Sequence, residues 1–535
     1  MKVAELTDDK DIGQTYRDGK LRKVIETGAL VVSWIVMGMY AEVSGPNLID
    51  LKYRFNTGYE ELASALSARG AGSFPGCIVG GLLVDKLGGW SHLTVAVTLD
   101  VAAVAVILIP WVPTVDYIWI LCFISGFVQS IHNSAGTLIA LNIWKDKSAS
   151  PLILIHLGYG IGSFFMPLLS DPFLGTMIPF SSNNTIPSNG TGKLRNLNVS
   201  VIEPSSDSTD KYYIENSRIE YPFAMSGIAT ASLSIIFFAF QIIENKYTKH
   251  GMDNHAAKGE MAIPNSELPS TDNDNGSKSK KVNSEINSEM KRSKWEKIKQ
   301  LIQLINPASC ANGRFWYGFS IIFLMFFYFG NAGGGQFIVS NFVRSYSIDQ
   351  LQFSSENGTL INTSYWISFS IGRFLFFIFA KWMSVKILIF VEAFGATLSA
   401  VLMAIFADES SIALWVLIQP IAFFWGPVWP TGVAWTDYHM VLTGMGMTSQ
   451  MLGAALGGMF HMRLIGYLYD NIGPKTYLYH AAGSAAFGLI LAIALNAIGA
   501  RHGNRFATEV EECVDEQNET DKNSNDLDGK MSTRL

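Results

Sequence analysis

The chain alternates long apolar runs with short polar breaks. A bilayer span takes about 20 mainly apolar residues, and about twelve runs meet that measure. They are Val24–Val43, Tyr59–Leu83, Ser91–Val112, Tyr117–Asn142, Pro151–Leu169, Phe223–Ile243, Phe315–Phe342, Ile361–Met383, Ile387–Ala407, Ile412–Trp435, Val441–Tyr467 and Lys475–Ala500. Backbone groups in lipid must bond internally, so each run is read as a helix. The pattern predicts an all-α membrane protein of twelve transmembrane helices. One long polar stretch interrupts it after the sixth run and divides the helices into two groups of six.

Five regions follow. Residues 1–23 form a cytoplasmic N-terminal tail and 24–243 the first six-helix bundle. Residues 244–310 form a cytoplasmic linker, 311–500 the second bundle, and 501–535 a disordered cytoplasmic tail. Within the linker, Asn265 to Asn287 is rich in Ser, Asn, Asp and Lys and has too few apolar positions to fold. From Lys291 to Ile305 the apolar residues Trp295, Ile298, Leu301, Ile302 and Ile305 share a helical face opposite Lys294, Lys297 and Arg292. Two readings stand for it: a solvated helix leading into the seventh span, or an amphipathic helix on the inner leaflet.

Composition agrees with this class. Of 535 residues, 49% are hydrophobic and 16% charged, against about 25% charged in soluble domains. The net charge of −6 lies largely in polar tails and loops. No small-residue cleavage site follows the first span, which reads as a signal anchor. The 4 cysteines are Cys77, Cys122, Cys310 and Cys513. None falls in an outside loop and no pair has metal spacing, so neither a disulfide nor a metal site is expected.

Basic residues set the orientation. Arg17, Lys20, Arg22 and Lys23 place the N-terminus inside, and Lys86, Lys145, Lys147, Lys381 and Lys386 fall in short inside loops. Lys52, Arg54, Arg344 and Lys475 fall outside. Glycosylation sequons support the same topology: Asn183, Asn189 and Asn198 lie in the loop after span five, and Asn357 lies between spans seven and eight. The C-terminus is then also cytoplasmic.

Charges inside the spans are few. Arg69 sits in span two and Arg373 in the equivalent span eight, and Asp100 sits in span three and Glu392 in the equivalent span nine. At 1.5 Å per residue, Arg69 lies roughly 15 Å from the outer end of its helix and Asp100 roughly 14 Å from the inner end of its own. An isolated charge at that depth is expensive, so Arg69–Asp100 and Arg373–Glu392 are read as two repeated ion pairs. Glu42, near the outer third of span one, either snorkels to the interface or couples a cation to transport.

Polar faces mark a binding region. Gln129, His132, Asn133 and Thr137 share one face of span four, facing the bundle for want of partners in lipid. Interhelical hydrogen bonding is the alternative use of that face. Span seven carries Asn331, Gln336 and Asn341 around Gly333-Gly334-Gly335. Span ten carries Trp425 and Trp429 with Pro427 and Pro430, which bend the helix and free carbonyls. Amides and hydroxyls suit sugar OH groups, and Trp faces suit their CH surfaces. His132 and His156 read as buried hydrogen-bonders or as groups titrating in transport. Gly158, Gly160 and Gly162 sit in a span with no preceding strand, which excludes a nucleotide loop. No nucleophile–base pair, zinc signature or nucleic-acid patch is present, so an enzyme is not expected.

Gly81-Leu-Leu-Val-Asp85-Lys86-Leu-Gly88, squeezed between spans two and three, resembles the loop motif of the major facilitator superfamily. Four further stretches narrow it: Gly45-Pro46-Asn47-Leu-Ile-Asp50, His156 through Pro167, Ile371-Gly-Arg-Phe374, and Trp429-Pro-Thr-Gly-Val-Ala-Trp435. Together these resemble the sodium-dependent glucose transporter branch, related to fucose permeases. The resemblance covers Val24 to Ala500 outside the loops. It implies a plasma-membrane carrier with two pseudo-symmetric bundles, taking a hexose by alternating access between spans one, four, seven and ten. It implies no cofactor beyond sodium or a proton as coupling ion, and partners limited to a small sugar and the bilayer. Members carry acids in spans four and seven where this chain has Asn133 and Ala332, which leaves Glu42 as the coupling candidate. The alternatives are an organic-anion or amino-acid carrier, and a non-transporting membrane sensor.

Overall fold

The computed structural model describes residues 19–86, 90–144, 149–179, 212–259, 307–311, 313–440 and 444–501. The helices are α1 (Lys20–Glu42), α2 (Leu48–Phe55), α3 (Tyr59–Lys86), α4 (Ser91–Leu108), α5 (Val115–Trp144), α6 (Ala149–Ser170), α7 (Glu220–Gly259), α8 (Phe315–Asp349), α9 (Ser355–Phe379), α10 (Val385–Phe406), α11 (Ser411–Trp425), α12 (Val428–His439), α13 (Gly444–Asn471) and α14 (Thr476–Gly499). A short antiparallel ribbon, β1 (Thr176–Pro179) with β2 (Tyr212–Glu215), pairs Thr176 with Glu215 and brackets the segment holding three sequons. Among the described residues eight segments are long and apolar enough to cross a membrane: α1, α4, α5, α7, α8, α10, α14 and the α11–α12 segment.

Local chemistry explains the breaks. Asn56 closes α2 in the left-handed conformation, φ 49°, which Asn tolerates better than most residues. Ser354 and Ser410 cap α9 and α11 by accepting from Asn357 N and Ala413 N, which satisfies N–H groups with no intrahelical partner. The run expected as one span, Ile412–Trp435, is split into α11 and α12 at Gly426-Pro427. Proline has no N–H to give. Pro430 therefore leaves the Gly426 carbonyl unbonded within the helix, and Arg373 Nε takes it at 2.9 Å.

Within the first half α3 packs on α5, α1 on α6, and α4 on α5 and α7. In the second half α9 packs on α11, α8 on α13, and α10 on α11 and α14. Close approaches repeat between the halves. A Cβ at Gly72 would meet Phe123 O, and one at Gly126 would meet Arg69 O. In the second half Gly372 meets Phe423 O and Gly426 meets Phe369 O. The same correspondence relates Gly158 against Val31 O and Gly162 against Ile35 O to Gly453 against Phe326 O and Gly457 against Gly330 O. Only a residue without a side chain allows backbones this near.

This register corrects one expectation. Arg69 is matched by Phe369, and Arg373 by Ser73, so the two arginines are not repeats of each other. Nor do they pair as expected. Arg69 does not reach Asp100; its Nη1 donates to Ala41 O and its Nη2 to Tyr40 O at 3.4 Å. Arg373 does not reach Glu392; it bonds Gly426 O and, through Nη1 at 3.1 Å, His156 O. The end of α1 and the proline break at Gly426 expose carbonyls, and a guanidinium with five donors satisfies them in place of a carboxylate, Arg373 reaching in addition the mid-helix carbonyl of His156.

The two halves meet through α3 on α13, α6 on α9, and α2 on α8. The four long helices in this contact, α3, α6, α9 and α13, are those outside the eight-segment apolar set. They bring glycines and polar groups into the contact: Gly70 against Ala455 O, Gly466 against Ala63, and Gly160 against Ser370.

Candidate functional site

The contact between the halves is dense on the face where α1 ends. Asp50 on α2 and Arg344 on α8 are both fully buried, with 4.0 Å between Oδ2 and Nη1. Asp50 Oδ1 also accepts from Gly175 N at 2.8 Å and Ser217 Oγ at 2.6 Å. Arg344 was expected in an outer loop. Helix α8 instead runs on to Asp349, 35 residues in all, roughly 50 Å at 1.5 Å per residue, and buries it. Beside this pair, Tyr59 and Tyr469 both donate to Asp349 Oδ2, at 2.8 and 3.1 Å, with their rings 4.8 Å apart. Glu60 N donates to Asp470 at 2.6 Å, and Asn471 donates to Glu60 Oε2 at 2.9 Å.

One layer deeper lies Glu42, 2% exposed. Tyr159 OH of α6 donates to its Oε1 at 2.8 Å. Ser340 Oγ and Asn341 Nδ2 of α8 approach its Oε2 at 3.4 and 3.3 Å. Arg69 lies within electrostatic reach. This burial excludes snorkelling to the interface, because the side chain is spent on a contact between the halves. Tyr159, Ser340, Asp50 and Arg344 join this contact without standing out in the sequence as site candidates. The signal for Asp50 was present, as a lone acid within the Gly45-to-Asp50 stretch.

The polar face of α5 is divided in the fold. His132 is buried, its Nε2 3.3 Å from Ser33 Oγ and its ring 5.0 Å from Trp34. The second His ring, His156, meets the same indole at 5.9 Å, edge on. Gln129, Asn133 and Thr137 are half-buried, and the Asn133 carbonyl oxygen is buried without a hydrogen-bond partner. Gly126 and Gly426 are equivalent, so Gln129 and Trp429, three residues on, hold matching positions in the two halves. Trp429 is half-buried and packs edge-on against Phe329 at 4.6 Å. Trp425 is 5% exposed and lies against Gly335. Gln336 is half-buried.

Asn331 stands apart from that group. Its Nδ2 donates to Ser484 O at 2.9 Å and its Oδ1 accepts from Ser484 Oγ at 3.1 Å. Both ends of the amide are used in joining α8 to α14, the packing role and not an open binding group.

The loop motif is a helix end: Gly81, Asp85 and Lys86 lie on the last turns of α3, and Gly88 lies outside the described residues. Asn183, Asn189 and Asn198, linker residues 260–306 with the Lys291–Ile305 segment, and residues 1–18 and 502–535 with Cys513 also lie outside the described residues, whereas Lys20 to Lys23 belong to α1. Asn357 is exposed on the first turn of α9, where Thr359 of its sequon is buried and donates to Ser355 O at 3.1 Å. Among the described residues Cys77, Cys122 and Cys310 form no disulfide.

Outside the spans, the ammonium of Lys475 pairs with Asp408, whose hydrogen bond and charge hold it protonated above its ordinary range. The pair joins the loop before α14 to the loop before α11.

No family model matches the chain. It is 21% identical to sodium-dependent glucose transporter 1A of Mus musculus, covering 86% of this chain and 94% of that protein. It is 22% identical to the human sodium-dependent glucose transporter 1, over 87% and 78%. Major facilitator superfamily domain-containing protein 4A of Xenopus tropicalis is 21% identical, over 82% and 85%. Among solved structures, the nucleoside transporter NupG aligns with TM-score 0.52 and 12% identity, over 89% of this chain and 98% of its own. The fold is therefore that of a multi-pass membrane transporter. The likeness to the sodium-dependent glucose transporter branch of the major facilitator superfamily, read first from short motifs, extends over most of the chain.

Proposed function

We propose that the protein carries a hexose across the plasma membrane by alternating access, with both termini cytoplasmic. The reading takes the α11–α12 segment as one span. It counts α1, α3, α4, α5, α6 and α7 as one pseudo-symmetric bundle of six, and α8, α9, α10, α11–α12, α13 and α14 as the other. The observation that carries it is the pairing of an amide on one half with a Trp on the other. Gln129 and Asn133 on α5 are not consumed by packing, and Trp429 occupies the matching position beside a proline break. An amide and an aromatic face are what a sugar needs. His132, Thr137, Gln336 and Trp425 complete the region.

The gate at Asp50–Arg344, Tyr59–Asp349–Tyr469 and Glu42 is closed on the outer face. The described state is then outward-closed, and transport requires these contacts to open as the halves rock. Glu42 is the coupling carboxylate of this reading, since its charge holds Tyr159 of one half and Ser340 and Asn341 of the other. The relatives named as sodium-dependent support Na+ as the ion.

A second reading, an organic-anion carrier, is favoured by one observation. Arg373 has no carboxylate partner among the described residues; it bonds only carbonyls and lies over Phe369, 4.7 Å from the ring centroid. A cation so placed could meet an anionic solute. Purified protein in sealed vesicles, offered labelled hexoses, amino acids and organic anions with and without sodium and pH gradients, separates the readings. Hexose uptake supports the first. Anion uptake lost in Arg373→Gln supports the second, and no uptake of any solute supports a sensor.

A further inference from the structure

Glu42 is surrounded by donors, but a second carboxylate is not. Glu392 on α10 is 0% exposed. Its Oε1 accepts one hydrogen bond, from Thr431 Oγ1 at 2.5 Å, and its Oε2 is buried with no partner. The Tyr328 hydroxyl of α8 is buried and also without a partner, and it lies within electrostatic reach of Glu392. The Tyr328 ring packs against Gly432, next to Thr431, which brings three oxygen-bearing side chains from α8, α10 and α12 together.

The charge of this group is not balanced. Among the described residues no Arg, Lys or His forms an ion pair with Glu392. Arg373, the expected partner, is committed to carbonyls on α6 and at the α11–α12 break. Of the elements packed on α10, α11 carries no titratable side chain. On α12, Asp437, Tyr438 and His439 lie a turn and a half or more beyond Thr431, and His439 is bonded to Trp435 O. On α14, His480 bonds His461 instead. Thr431 is on the first turn of α12, whose N-terminal dipole supplies roughly half a charge at most. An anion buried this deeply requires a positive charge beside it or on it.

We infer that Glu392, Thr431 and Tyr328 form a binding site for one small monovalent cation, Na+ or a proton. One carboxylate and two hydroxyls are hard oxygen donors without the thiolate or imidazole that selects transition metals. A single carboxylate is too little charge for Ca2+, which gathers 6–8 oxygens in its protein sites. The site adjoins the proposed solute region through the chain itself. Tyr328 precedes Phe329, Thr431 follows Trp429 by two residues, and Phe329 and Trp429 are in contact. An ion here would set the rotamers around Trp429. That coupling clause rests on the transport reading; the ion site does not.

The test uses full-length purified protein and no solute. Thermal midpoints are measured in NaCl against KCl across a concentration series, and the infrared band of protonated buried carboxyl groups is followed against pH. Glu392→Gln is the primary variant. Thr431→Val and Tyr328→Phe remove single hydroxyls should Glu392→Gln fail to fold. A saturable sodium-specific rise in midpoint that is lost in Glu392→Gln and weakened in the hydroxyl variants assigns Na+. No sodium effect, with a carboxyl band that Glu392→Gln removes and Thr431→Val shifts, assigns a proton. A sodium effect and a carboxyl band both unchanged by all three variants overturn the site, as does absence of both signals in the parent protein. Hexose accumulation in vesicles is a separate arm, so failure of the sugar reading leaves the ion result intact.

Discussion

Arg373 on α9 donates to the backbone carbonyl of His156 on α6 at 3.1 Å, and so ties the second half of the molecule to the first. The same guanidinium holds the Gly426 carbonyl at 2.9 Å, at the break between α11 and α12. One side chain thus connects the contact between the halves with the broken helix of the proposed solute region. A rocking motion that separates α6 from α9 must release it.

The arginines and acids should behave as independent groups. In double-mutant cycles Arg69→Gln with Asp100→Asn, and Arg373→Gln with Glu392→Gln, the coupling should be within about 0.5 kcal/mol of zero. Each arginine loss alone should lower surface abundance, since charge-assisted bonds to carbonyls contribute about 1.5–3 kcal/mol. Recovery of surface protein in either double mutant would restore the ion-pair reading.

The Asp50–Arg344 pair should hold the outer face shut. Removing one partner of a buried ion pair costs about 3–5 kcal/mol, and here the loss falls on the closed state. Asp50→Ala should therefore raise the rate at which Ser67→Cys is modified by a membrane-impermeant thiol reagent added outside. Ser67 accepts from Arg463 Nε across the contact at 3.2 Å. An unchanged rate, with normal surface abundance, would remove this pair from the gate.

Substitutions in the solute region should divide into two kinds. Gln129→Ala and Asn133→Ala should lower uptake while leaving the protein at the cell surface. Trp429→Ala should raise the half-saturating solute concentration. Asn331→Ala should instead reduce surface abundance, because it strands the Ser484 groups at about 1–3 kcal/mol. Uptake and abundance falling in parallel for Gln129 and Asn133 would assign them to packing as well.

Glu42→Gln keeps the shape of the gate layer but removes the charge that makes its hydrogen bonds about twice as strong as neutral ones. Cation-driven accumulation should be lost while equilibrative uptake persists. Full accumulation in Glu42→Gln would exclude Glu42 from coupling, and a parent that only equilibrates its solute would be a uniporter.

Digestion with an N-glycan amidase should increase gel mobility through glycans on some of Asn183, Asn189 and Asn198. Asn357→Gln should leave mobility unchanged, because that sequon is wound into α9 with its Thr359 hydroxyl already bonded. A mobility change on Asn357→Gln would mean that the first turn of α9 unwinds in the cell.

Apolar run length located nearly every long helix from the sequence, because the bilayer imposes one length and forbids unpaired backbone. The prolines at 427 and 430 likewise announced a bend that the fold makes into a break. Side-chain partnership was not legible in the same way. Depth along a helix places Arg69 and Asp100 at a similar level, but it does not say which way either side chain turns. Only packing decided that Arg69 and Arg373 cap carbonyls and that Asn331 is consumed by Ser484. It also decided that Glu42 joins two halves nearly 300 residues apart in the chain. The sequence determined which segments are apolar enough to cross a membrane, since that depends on each segment's own composition. The tertiary structure decided which buried polar groups remain open, since that depends on neighbours no local pattern encodes.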